Sequence, residues 1–172
     1  HRGIHLAFVI GLIFLVFPAF RTDGNKVFPS SLFKPGGIPV YDWVMAAMAV
    51  VSALYVPWIF TDLASRVGNP SAVDVAMGSI ALFVLVEATR RSIGWGLPVI
   101  ALFAMGYALF GQWFPGIFLH PGASWSNLVN HLYLTSQGIY GVALGVVATY
   151  VFHFVLFGVL ATRVGLGQLF LG

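Results

Sequence analysis

Apolar residues in this chain fall into long blocks separated by short polar links. Five blocks are long enough to be drawn as membrane spans: residues 3–20, 43–60, about 70–91, 97–114 and 139–161. Each is close to the ~20 residues that a helix needs to cross hydrocarbon. Helix punctuation agrees with these limits. Pro18 and then Arg21 close the first block, Pro115-Gly116 ends the fourth, and Arg163 and Gly165 follow the fifth. Asn69 is placed to cap the third helix, with Pro70 at its first position, where a missing N–H costs nothing. Arg90 and Arg91 lie in the last turn of that helix, where cations complement its dipole. The link after the first block is rich in turn formers, namely Asp23, Gly24, Asn25, Pro29, Pro35, Gly36, Gly37 and Pro39. Tyr41 and Trp43 then stand where an aromatic belt meets the membrane surface.

One segment has a different pattern. In residues 124–137 the apolar positions are Trp125, Leu128, Val129, Leu132 and Tyr133, at i, i+3, i+4, i+7 and i+8, which is one face of a helix. Ser126, Asn127, Asn130 and His131 occupy the other face. The segment is too polar to span, and it reads as an amphipathic helix lying in the interface or packed on another domain. The expected fold is therefore an all-α integral membrane protein with about five transmembrane helices and one interfacial amphipathic helix.

Composition strengthens this reading. Charged residues are 8% of the chain and apolar residues 59%, where soluble domains carry about 25% charged residues. No Asp, Glu, Lys or Arg lies between Arg91 and Arg163. A charge at the centre of a spanning helix costs about 2.5–3.5 kcal/mol on insertion scales, which selects for such runs. The absence of cysteine excludes disulfides, thiolate metal sites and cysteine nucleophiles. A net charge of +3 is accounted for by loop positives and does not suggest a nucleic-acid surface.

Loop charges also set an orientation. Arg21, Lys26, Lys34, Arg90, Arg91 and Arg163 fall on one side of the membrane, and Arg2 and Arg66 on the other. The positive-inside rule makes the first side cytoplasmic and turns residues 115–138 outward. The first block then runs from outside to inside, so an even number of crossings upstream, or an exported N-terminus, is expected. The chain opens at His1 and stops at Gly172 within an apolar stretch, and reads as a fragment cut at both ends.

An ordered series of residues carries a family resemblance. Glu87, Arg90, Arg91, Gly94, Leu97, Pro98, Tyr107, Gly111 and Pro115-Gly116 come first, followed by His131-Leu-Tyr-Leu-Thr135 and Gly138-Ile139. Ala148-Thr-Tyr-Val-Phe, Phe154-Val-Leu-Phe-Gly158 and Gly165-Leu-Gly167 continue it. The series resembles the fused permeases of tripartite ATP-independent periplasmic (TRAP) transporters, and within them the group paired with TAXI-type solute receptors. The resemblance implies a sodium-driven importer of small organic acids or amino acids in the bacterial inner membrane. Its expected partners are a periplasmic TAXI-type receptor, the remainder of the permease and membrane lipids. Residues 1–137 would be the small-subunit-like scaffold. Residues 138–172 would open the large transport subunit, with substrate and sodium sites beyond Gly172. No cofactor other than the coupling ion is implied. A structural membrane subunit of another polytopic complex is the alternative. His153 departs from the pattern, which places an aliphatic residue between Phe152 and Phe154.

Candidate residues are few. Glu87 is three and four residues from Arg90 and Arg91, so one helix face brings the three together. They are candidates for scaffold contacts or for binding an anionic lipid head group. The bland account is an interfacial ion pair with snorkelling arginines. Trp125 and Tyr133 are the candidate receptor-facing residues. His153 is a mid-span ionisable group, a functional hypothesis whose plainer account is a hydrogen bond to a neighbouring helix. Asp74 suits a helix N-terminus, with a receptor contact as the alternative. His120 and His131 share a loop but match no zinc spacing. Gly141 and Gly145 form a GxxxG pair, a weak signal in a chain with 20 glycines. HExxH, GxSxG and phosphate-binding glycine loops are all absent from the sequence, so no enzyme is indicated.

Overall fold

The computed structural model describes residues 1–17 and 39–165. The end of the first predicted span, the turn-rich link with Arg21, Lys26 and Lys34, and Gly167 all lie outside the described residues. Every regular element among the described residues is helical. The first two helices are α1 (Arg2–Val16) and α2 (Val40–Trp58), followed by the single turn α3 (Leu63–Arg66). Next come α4 (Ala72–Ile93) and α5 (Gly96–Phe110), and then the short α6 (Trp125–Val129). The last span, Val142–Arg163, is built from α7 (Val142–Val146), a wide π turn (Val147–Val151) and α8 (Phe152–Arg163). Among the described residues, four helical stretches are long and apolar enough to cross a membrane: Val40–Trp58, Ala72–Ile93, Gly96–Trp113 and Val142–Arg163. Arg2–Val16 is a shorter apolar helix.

Three helices make the core. α1 buries Gly3, Leu6, Ala7, Ile10, Gly11 and Phe14, and α2 buries Asp42, Met45, Ala46, Ala49, Ser52, Ala53 and Val56. Both sets follow helical spacing and form one stripe each. Their small residues let α1 and α2 approach closely, and in lipid it is such packing that holds helices together, since hydrocarbon is no worse a solvent for leucine than a protein core. α4 joins the pair and buries Gly78, Ala81, Leu82, Val84 and Ala88. α5 buries only Pro98, and α7 and α8 bury no residue.

The cap of α4 differs from the expectation. Ser71, not Asn69, is the cap, because its hydroxyl accepts from Asp74 N at 3.3 Å while Asp74 Oδ2 accepts from Ser71 N at 2.8 Å. This reciprocal pair is a capping box with Asp in the usual Glu position. Pro70 therefore precedes the helix.

The amphipathic segment is helical, first as α6 and then as a π turn over Asn130–Leu134. Its apolar face does not lie against a foreign surface. Val129 and Tyr133 seat on Gly78 of α4, where a Cβ would overlap the Val129 side chain. Trp125 Nε1 donates to Ser79 Oγ at 2.9 Å, and Gly68 N donates to Asn130 Oδ1 at 3.1 Å. The segment closes one end of the core.

Candidate functional site

The ends of α2 and α4 carry two clusters of ionised side chains. At the end where α1 finishes, α2 begins and α4 finishes, Glu87 accepts from Arg90 Nε at 2.7 Å and Nη2 at 2.6 Å, and from Arg91 Nε at 2.9 Å. The predicted trio thus forms as the spacing required. The sequence reading missed a fourth member, Asp42, whose Oδ1 accepts from Arg91 Nη1 at 2.6 Å. Arg91 also donates to the Phe17 carbonyl, and its guanidinium lies 4.6 Å from the Phe14 ring centroid and 5.5 Å from that of Tyr41. One arginine thereby ties α1, α2 and α4 together.

This geometry corrects the snorkelling account for Arg91. Its side chain and that of Asp42 are each only 1% exposed, so Arg91 is not available to a lipid head group. Arg90 is the outer member, at 26% exposure and 5.4 Å from the Trp95 ring, which suits the interface. Among the described residues, Asp42 Oδ2 and Arg91 Nη2 find no partner. Buried polar atoms of that kind lower the net worth of the pair while raising the cost of breaking it.

At the opposite end, Asp74 is fully buried. It accepts from Tyr55 OH at 2.6 Å, from Arg66 Nη1 at 3.2 Å and from Ser71 N at 2.8 Å. Burial removes the receptor contact considered for Asp74. Arg66 also reaches Asp62 at 3.9 Å.

A group of tyrosines extends this second cluster. Tyr55 and Tyr133 stack at 6.5 Å, and Tyr133 and Tyr140 meet at 5.9 Å. Tyr133 OH donates to the Ser52 carbonyl and Tyr140 OH to the Ala53 carbonyl. Burial pushes both phenols above their ordinary range, so they remain protonated donors at any physiological pH. Tyr133 is wholly buried, and this corrects its expected receptor-facing role: the apolar stripe that looked free is the stripe that packs. Trp125 keeps 43% exposure and still borders the surface.

His153 is exposed on α8 and bonds through Nδ1 to the Thr149 carbonyl one turn back, with Phe152 between it and His5 of α1. His120 is held between the Tyr107 carbonyl, 3.0 Å from Nε2, and Gly122 N, which donates to Nδ1 at 3.1 Å. That pairing makes His120 a loop staple over Gly111, where a Cβ would collide with the ring. Among the described residues no three His, Asp or Glu side chains gather in a way that would hold a metal. Gly145 of the GxxxG pair makes room for the Arg2 guanidinium and not for a helix backbone.

The packed helices, the sparse charge and the order of elements agree with a comparison against protein families. Residues 80–172, more than half of the chain, match the family described as tripartite ATP-independent periplasmic transporter, DctM component. The chain belongs to this family. It is a permease component of a TRAP transporter, a multi-pass membrane protein of a class that works with a periplasmic solute-binding receptor. No curated protein and no solved structure matches it. The matched part of this TRAP permease holds Glu87, Arg90, Arg91, Trp125, Tyr133 and His153. Asp42, Tyr55 and Asp74 stand ahead of it.

Proposed function

We propose that this chain is the scaffold portion of a fused TRAP permease, with residues 1–137 corresponding to the small subunit and residues 138–172 opening the large one. The match begins at residue 80 and runs across residue 138. Burial falls from 33–39% in α2 and α4 to 11% in Gly96–Trp113 and 6% in Val142–Arg163, so the boundary at residue 138 rests on the resemblance of the sequence series. The single observation that carries the reading is the core of α1, α2 and α4, locked at both ends by buried ions. A domain that moves substrate needs a stiff partner to move against, and a helix trio tied by Arg91 and Asp74 is stiff.

The import would be secondary active and sodium-coupled, with small organic acids or amino acids as cargo and a TAXI-type receptor delivering them. The bacterial inner membrane would be its location, with the Asp74 end outward. The resemblance of the sequence series and the Lys/Arg asymmetry support these points. The receptor-facing surface would be the outward segment that holds Trp125, together with its exposed neighbours Asn127 and His131. Trp125→Ala in the full-length transporter should lower the apparent affinity for the receptor roughly fivefold, about 1 kcal/mol for a half-exposed aromatic. Receptor-dependent uptake into proteoliposomes measures this. Unchanged uptake at equal protein level, for Trp125→Ala and for a triple variant with Asn127 and His131, rejects the surface.

A further inference from the structure

Pro57 lies inside α2, one residue before its end. A proline has no N–H, so the carbonyl four residues back, that of Ala53, loses its helical donor. Ala53 is 2% exposed, and a buried carbonyl without a donor is costly. Tyr140 OH donates to this oxygen at 2.9 Å, across 87 positions of chain. α1 closes the third side of the junction. The bare Cα of Gly3 rests on the Pro57 ring, and a Cβ there would overlap the ring and come within 3.0 Å of the Ala53 oxygen.

The same tyrosine is held from its other end. Arg2 Nη1 donates to the Tyr140 carbonyl at 2.8 Å. Gly141, the next residue, caps α7, so the fixed point immediately precedes the last span. Beyond it that span is almost uncovered, at 6% burial.

From this geometry we infer that Tyr140 is a positioning residue: its hydroxyl replaces the backbone donor that Pro57 removes, and the bond pins the head of the Val142–Arg163 span to α2. Pro57 creates the vacancy, Tyr140 fills it, and Gly3 leaves space for both. The junction sets where the span starts, whatever it later packs against, and does not depend on the proposed receptor or cargo.

The pairing makes a specific genetic prediction. Tyr140→Phe leaves the Ala53 carbonyl with neither hydroxyl nor amide. Pro57→Ala returns an amide N–H to that carbonyl, so it should relieve the cost of the bare carbonyl without restoring the tether to residue 140. Amide hydrogen exchange across residues 138–146, measured on the full-length transporter in lipid with α4 as internal reference, reads the result. Tyr140→Phe should speed exchange roughly five- to thirtyfold. Pro57→Ala alone should leave it near wild type; the double variant should regain the thermal midpoint lost in Tyr140→Phe while residues 138–146 still exchange as fast as in the single variant. Unchanged exchange in Tyr140→Phe overturns the inference, as does a double variant whose thermal midpoint stays as low as that of the single. If Tyr140→Phe does not accumulate in the membrane, recovery of protein level on adding Pro57→Ala supports the inference, and no recovery overturns it.

Discussion

The two charged clusters sit at opposite ends of the α2–α4 pair, the second with Arg66 of α3, and use similar side chains, yet they are built on opposite terms. At the Arg91 end both partners of the closest ion pair, Arg91 and Asp42, are 1% exposed, and Glu87 is 15% exposed. At the Asp74 end only the acid is buried. Arg66 is 32% exposed, and a backbone amide and a tyrosine share the work of satisfying the carboxylate. In the first cluster, no other group among the described residues takes the place of Arg91 on Asp42. The second would keep its carboxylate hydrogen-bonded if its cation left. The difference lies in how much each side chain gave up to water on folding, not in the count of ion pairs.

Substitutions can break or sharpen that contrast, read as thermal midpoints of the full-length transporter in detergent. Arg91→Ala should cost most, about 3–5 kcal/mol, because Asp42 is left charged in a closed site without its partner, while Glu87 keeps only Arg90. Asp74→Ala should cost less, about 1–3 kcal/mol, by orphaning Tyr55 OH and Ser71 N and removing half of the capping box. Arg66→Gln should cost least, about 0.2–1 kcal/mol, and the loss should shrink as salt is added. A loss for Arg66→Gln as large as that for Arg91→Ala would erase the distinction between the clusters.

The legible parts of this molecule were those written in short spacings. Glu87, Arg90 and Arg91 are three and four residues apart, and their mutual bonds follow from helix geometry alone. The spans were equally plain, since uninterrupted apolar runs have few other uses. Asp42 was not legible as the partner of Arg91, because 49 residues separate them and no local pattern records which helix ends meet. Tyr133 taught the converse lesson. The stripe it belongs to was read correctly as apolar, but a stripe does not say what covers it. Gly78 is the hint that was available, a residue without a side chain on a facing helix, and it gains meaning only once Val129 and Tyr133 are seen seated there. Pro57 lies one residue before the end of α2. Its consequence, a bare carbonyl taken up by Tyr140, required three segments to be brought together.

The π turn at Val147–Val151 has a consequence for how the last span is interpreted. Its hydrogen bonds step five residues instead of four, so the turn holds one residue more than an α-helix would. A helical wheel drawn from Val142 is therefore out of phase beyond Val151 by about 100°, the arc of one residue at 3.6 per turn. Gly145 and His153 do not share the bearing that simple counting gives them, and any assignment of lipid-facing and protein-facing sides must restart its count at Phe152.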